Sequence, residues 1–234
     1  MANSTRQSDI GPLQQRLGYQ FHNTQLLRLA LTHKSYAKQN NERLEFVGDA
    51  VLGYLVGSML YRKYPNVQED SLSLMRAELV RGRTLASLAK EIGLAPLLLL
   101  GSGELKSGGR ERHSILANAV EAIIGATHED GGIQACVELV DKLYAQRLEN
   151  LDAQSLKDAK TQLQELLQGQ GLELPVYEIQ DVSGADHQRQ YCVSCSVSAL
   201  DKRASASASS RRGAEKAAAQ LVLRELHNEG SDHE

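Results

Sequence analysis

The chain has 234 residues, 41% of them hydrophobic and 24% charged, which excludes collagen-like and wholly disordered classes and leaves room for one large domain or two. Its net charge is −3, so any nucleic-acid surface must come from local clustering of cations rather than bulk charge. No uninterrupted apolar run approaches the roughly 18 residues of a membrane span, and residues 1–12 lack the apolar core of a secretory signal, so a cytoplasmic protein without membrane attachment is expected.

The first two-thirds of the chain predicts helices throughout. Asn23 can cap a helix carrying Leu26, Leu27, Leu29, Ala30 and Leu31. A longer helix begins near Asn41, runs through Leu44, Val47, Val51, Leu55 and Leu60, and must stop by Tyr64 because Pro65 follows. Another is predicted from Ser71, with Leu74, Leu79, Leu85 and Leu88 inward and Gly93 as its C-terminal cap. Residues 101–109 form a glycine-rich loop, and two further helices cover about 112–129 and 133–150, the second with Ile133, Val137, Val140, Leu143 and Tyr144 on one face. The loop superficially suggests a phosphate loop. However, Lys106-Ser107 follows Leu105 instead of glycine and no strand leads into it, so no nucleotide cofactor is expected.

Beyond a short polar linker at 153–158 the pattern changes. A helix over 160–168 closes at Gly169 or Gly171, and 176–182 and 189–197 alternate as strands around the turn residues Ser183-Gly184-Ala185-Asp186. A third strand is predicted at 202–208. Ser209 or Ser210 then caps a last helix with Ala214, Ala217, Ala218, Leu221, Val222 and Leu226 inward. Cys192 and Cys195 stand three apart on a predicted strand and so face opposite sides, which argues against a shared metal; with Cys136 they make an odd set that excludes a disulfide framework. The expected architecture is an all-α domain over 1–152 followed by a small α+β (α-β-β-β-α) domain over 159–228, with 229–234 a disordered tail.

The chemistry concentrates in Asn41-Glu42-Arg43-Leu44-Glu45-Phe46-Val47-Gly48-Asp49-Ala50. Glu42, Glu45 and Asp49 lie at i, i+3 and i+7 and project from one helix face. A second helix offers Asn118 and Glu121 at i and i+3 inside a strongly apolar run, where a polar pair needs partners. Oxygen donors from two helices suit Mg²⁺. Spacing alone leaves two readings open, a solvated acidic stripe and a metal site.

Residues 41–52 resemble the signature helix of the ribonuclease III family. The likeness continues through Leu31-Thr32-His33-Lys34-Ser35, Met75-Arg76-Ala77, the 101–109 loop and the Glu121 helix, while the C-terminal part resembles a double-stranded-RNA-binding domain. That resemblance implies a homodimeric endoribonuclease that cleaves double-stranded RNA, processing ribosomal and other structured RNAs. Hydrolysis by metal-activated water would leave 5′-phosphate and 3′-hydroxyl ends with short 3′ overhangs. Glu45, Asp49 and Glu121 match the family's metal ligands, and Glu42 and Glu69 match acidic residues of the same catalytic valley. Mg²⁺ is the implied cofactor, with Mn²⁺ as a substitute. Asn118 departs from the pattern, since the family carries an aspartate there. An amide oxygen can coordinate but brings no negative charge, and a duplex-RNA binder with impaired cleavage is the alternative.

In the C-terminal module, Gln162, Gln164 and Glu165 resemble the family's first minor-groove contact and Gly184 with His187 the second. Ser210-Arg211-Arg212 with Lys216 opens the last helix, where cations and free backbone N–H groups both favour phosphate. Ala206, Ala208 and Gly213 depart from the family there, and weaker binding in the same mode is expected.

Overall fold

Asn23 behaves as its position asks: its side-chain oxygen accepts the Gln25 N–H at 3.1 Å and opens helix α2 (Thr24–Ala30), after α1 (Gly11–Leu17). The computed structural model describes residues 10–151, 157–185 and 188–231, and the chain divides into two units, Met1–Ala153 and Gln154–Glu234. In the first, α3 (Glu42–Lys63) packs along α7 (His113–Glu149), with α4 (Glu69–Val80), α5 (Gly82–Glu91) and the short α6 (Ser102–Lys106) completing a helical bundle. Leu13, Leu27, Leu52, Met75, Leu88 and Leu116 form part of its core. By length and composition α3 could cross a membrane, with a mean hydropathy of 1.3. Instead its Leu52, Leu55, Val56 and Leu60 are buried in this core, and its first two turns carry the carboxylates.

The expectations for this unit are corrected at several points. The helix expected from Ser71 to Gly93 is two helices, because Arg81 is extended (ψ 150°) between α4 and α5. Glu78 pairs with Arg81 and Arg83, and its carbonyl accepts the Thr84 hydroxyl at 2.7 Å, which stabilises the break; Leu74, expected inward, is exposed. The 101–109 loop contains α6 and a 3₁₀ turn (Gly109–Glu111), tied together by the Arg112–Glu104 ion pair at 3.0 Å. The two helices expected over 112–150 are present along α7 and meet at Gly132, whose backbone is non-helical (φ +73°, ψ −171°). Ile133, placed inward by periodicity, is exposed, and Cys136, Leu139, Val140 and Tyr144 form the buried face.

Asp130 fastens the N-terminal segment to α7. Its carboxylate accepts the Tyr19 hydroxyl and the His22 and Asn23 N–H groups, each at 2.8 Å. Burial alone would raise the Asp130 pKa, but the hydrogen bonds from Asn23, Tyr19 and His22 outweigh it and hold the group below the ordinary value of 3.8. A carboxyl depressed in the folded state stabilises the fold above its unfolded pKa and loses that contribution as pH falls through the folded one. Asp130→Asn is therefore expected to lower the thermal midpoint near neutral pH, with the gap to wild type closing as pH falls through the acidic range below the ordinary value of 3.8. Melting curves across that range provide the check, and a gap independent of pH would contradict it.

The second unit follows its pattern closely. Helix α8 (Ala159–Gly169) is capped by Asp158, whose side chain accepts the Thr161 N–H. Strands β1 (Val176–Ser183), β2 (Gln190–Val197) and β3 (Lys202–Ala208) form an antiparallel sheet in sequential order, and α9 (Arg211–Ser231) closes the module. Leu163, Leu167, Cys195, Val197, Ala218, Val222 and Leu223 form the core between helices and sheet. Leu221, expected inward, is exposed, while Ala219 and Leu223 are buried: the sheet selects the 214/218/222 and 219/223 ridges. Helix α9 also runs on to Ser231, three residues into the tail expected to be disordered.

Candidate functional site

The packing of α3 on α7 begins with two glycines. A methyl group on Gly48 would overlap the carbonyl oxygen of Glu121, and one on Gly125 would overlap that of Leu44. The helix backbones therefore touch where the acidic face of α3 meets the Asn118/Glu121/Gly125 face of α7. Glu45, Asn118 and Glu121 are half-buried there, while Glu42 and Asp49 sit exposed at the rim. Burial pushes the Glu45 carboxyl above its usual range, a hydrogen bond from Asn118 lowers it, and the charges of Glu42 and Asp49 raise it against the pull of Lys34. Glu121 is pushed up to about 7 by burial and by the charges of Asp49 and Glu45.

Among the described residues no three His, Cys, Asp or Glu side chains are already arranged to hold a metal ion. Glu45, Asp49 and Glu121 act on one another electrostatically without closing into a cage, and Asn118 contributes an amide. Glu42 turns to Lys34, whose Nζ lies 3.0 Å from its Oε1. Glu69 is not brought to this group. It lies in the first turn of α4, accepts the Ser73 hydroxyl at 2.8 Å, and borders a hollow of about 490 Å³ with Tyr54, Gly57, Tyr61 and Arg76. Gly57 is more than two turns beyond Asp49, roughly 12 Å along the axis of α3. A larger hollow of about 850 Å³ contains Glu42 but none of Glu45, Asp49, Asn118 and Glu121. The four line the seam between α3 and α7, Asp49 exposed and the other three half-buried, so the group can be reached from solvent.

In the second unit the residues singled out from sequence fall on two elements. Gln162, Gln164 and Glu165 are half-buried on α8; Gln162 Nε2 donates to the Lys157 carbonyl at 2.7 Å and Glu165 pairs with Lys157 at 2.5 Å. Ser210 caps α9, its hydroxyl accepting the Gly213 N–H at 3.1 Å. A Cβ at position 213 would come within 3.0 Å of that hydroxyl, so glycine relieves a tight contact and offsets its intrinsic cost as a helix former. Arg212 and Lys216 are exposed one turn apart, whereas Arg211 is engaged by Glu215 at 2.9 Å, which Lys160 holds from the other side at 2.6 Å. His187 lies outside the described residues. Lys34, which lies in the Leu31–Ser35 segment of the family likeness but has no role assigned by it, sits in a loop without periodicity, and its pairing with Glu42 places it beside the acidic face.

A helical domain with an acidic valley, followed by an α-β-β-β-α module with a cationic helix start, defines a metal-dependent nuclease coupled to a duplex-RNA reader. The ribonuclease-III-like family profile matches residues 23–148 and the double-stranded RNA binding motif matches residues 159–226. Ribonuclease 3 of Vibrio vulnificus strain YJ016 is 49% identical over 222 residues, covering 94% of this chain and 99% of that protein. Ribonuclease 3 of Vibrio cholerae is 48% identical over 220 residues, covering 94% and 98%. The crystal structure of the nuclease domain of ribonuclease III from Campylobacter jejuni matches with a TM-score of 0.59 at 41% identity, covering 62% of this chain and 99% of that one. The chain belongs to the ribonuclease III family.

Proposed function

We propose that this protein is a Mg²⁺-dependent endoribonuclease that hydrolyses double-stranded RNA as a homodimer, leaving 5′-phosphate and 3′-hydroxyl ends with short 3′ overhangs, and that it processes ribosomal and other structured precursor RNAs. The observation that carries this reading is the meeting of Glu45, Asp49, Asn118 and Glu121 across the Gly48–Gly125 contact. Half-buried carboxylates with like-charged neighbours call for a cation, and an all-oxygen donor set fits a hard divalent ion, Mg²⁺ or in its place Mn²⁺. These four residues would hold the ion, which supplies charge stabilisation at the attacked phosphate and lowers the pKa of the attacking water. Asn118 steadies Glu45 by hydrogen bonding, and Glu42 and Glu69 are assigned to the rim of the same valley, Glu69 in the assembled dimer. No side-chain nucleophile is required.

The C-terminal module holds the duplex. Gln162, Gln164 and Glu165 read one minor groove, the β1–β2 turn with His187 the next, and Ser210, Arg211, Arg212 and Lys216 take the phosphates between them. Support for the homodimer comes from α3, whose outward side exposes Phe46 (80%), Tyr54 (65%) and Tyr61 (75%) at near-heptad spacing. A second C. jejuni nuclease-domain structure, 43% identical with a TM-score of 0.56, is described for flexibility in a region involved in dimer formation.

Asn118 favours a second reading, a duplex-RNA binder with impaired cleavage, and one experiment separates the two. A labelled RNA hairpin in Mg²⁺ is expected to be cut by the wild type, and roughly tenfold or more faster by Asn118→Asp at limiting Mg²⁺. Cutting by Asn118→Asp alone, with both proteins shifting the hairpin on a gel, would establish the second reading. If neither protein cuts a hairpin that both bind, the carboxylate-site assignment is wrong.

A further inference from the structure

Lys34 places a positive charge at the rim of an acidic valley that must receive a polyanion. Its pair with Glu42 is open to water on both sides, with 64% and 54% of the side chains exposed, and pairs this exposed contribute little to stability. The loop beneath it is nonetheless held firmly. The His33 N–H donates to Leu99 O at 3.0 Å, the Leu99 N–H to Leu31 O at 2.9 Å, and the Asn41 N–H to Thr32 O at 2.9 Å.

On the other side of Lys34, the Ser35 hydroxyl accepts the Gly101 N–H at 2.9 Å and lies 2.8 Å from His33 Nδ1. That nitrogen also accepts the Ser35 N–H at 3.2 Å, so it carries no proton and the hydroxyl is the donor to the ring. Gly101 has no room for a side chain, because a Cβ would overlap the Ser35 carbonyl oxygen. The loop is thus stapled on both flanks of Lys34, while the ammonium itself, with three donors and only one used by Glu42, is exposed.

We propose that Lys34 is a phosphate-contact residue that exchanges Glu42 for a backbone phosphate of the duplex beside the carboxylate valley. The proposal rests on the reading of the chain as a duplex-RNA nuclease. Exchange is cheap because the exposed ion pair is weak, whereas an ammonium–phosphate bond is charge-assisted and releases a counterion from the RNA. Placing a cation at the rim also reduces the repulsion between the valley's acids and the incoming backbone.

The test is the salt dependence of binding. The full chain, Lys34→Gln and Lys34→Arg are titrated with a short blunt RNA duplex in Ca²⁺ at several KCl concentrations, melting curves having verified that each variant is folded. Loss of one phosphate contact is expected to reduce the slope of log affinity against log salt by about 0.9 for Lys34→Gln, so that the wild-type advantage shrinks about threefold over a fourfold rise in salt. Lys34→Arg is expected to keep the wild-type slope. A wild-type slope for Lys34→Gln would overturn the proposal and leave the Glu42 pair as the lysine's whole role. Failure of the wild type to bind the duplex at all would instead reject the nuclease reading, and the phosphate contact with it.

Discussion

Glu121→Gln is expected to lower the single-turnover rate of hairpin cleavage at least about 100-fold, with RNA affinity unchanged. Glu121 is half-buried on α7 against Asp49 and Glu45, whose charges together with burial already disfavour its ionised form. Glutamine keeps the shape and one oxygen but removes the charge that a divalent cation needs. It also removes a like charge from a crowded site, so the metal-free variant should melt no lower than the wild type. That pairing of outcomes, lost turnover without lost stability, separates a role in the chemistry from a role in folding. A variant that both melts early and fails to cut would place Glu121 among the structural residues.

Gly48→Ala is expected to destabilise the first unit by about 3 kcal/mol or more. Alanine is the better helix former, so local propensity predicts the opposite sign. The α7 backbone decides it, because the new methyl would overlap the Glu121 carbonyl oxygen and nothing there can yield except the helix itself. Gly125→Ala, facing the Leu44 carbonyl, should fail in the same way. Chemical denaturation measures the loss. Forcing α3 from α7 would also part Glu45 from Asn118 and Glu121, so cleavage by any remaining folded protein should fall. Near-wild-type stability would mean that the helices are not locked by this contact.

Local signals were legible in the residues; long-range geometry was not. Asn23 and Ser210 cap helices because their oxygens satisfy N–H groups within three residues, and the three strands announce themselves through alternation and turn residues. The break at Arg81 left no such mark. The leucine period passes through it, and the pairs from Glu78 to Arg81 and Arg83 that support it depend on side-chain geometry. In α9 apolar residues fill adjacent positions from Ala217 to Ala219 and from Leu221 to Leu223, so sequence could not choose which ridge meets the sheet.

The site divides in the same way. Spacing places Glu42, Glu45 and Asp49 together and pairs Asn118 with Glu121, but their convergence depends on Gly48 meeting Gly125 across some 77 residues of chain. Glu69, grouped with them by resemblance, stays on its own flank of the single chain. Lys34 lies in a segment that the resemblance marks, but its position at the acidic face could not be found from spacing, because an irregular loop has no period; the pair with Glu42 shows it.

The carboxylates of α3 and α7 are expected to cut the RNA that the C-terminal module holds, and to do so with a divalent ion. The most direct measurement is to form the complex with a labelled hairpin in EDTA, add Mg²⁺ in excess, and analyse fragment ends over time for the wild type and Glu121→Gln. The predicted result is metal-triggered cutting by the wild type to 5′-phosphate and 3′-hydroxyl ends, with the hairpin intact on Glu121→Gln. A bound hairpin that stays whole with the wild type after Mg²⁺ arrives, or Glu121→Gln cutting at the wild-type rate, would contradict it.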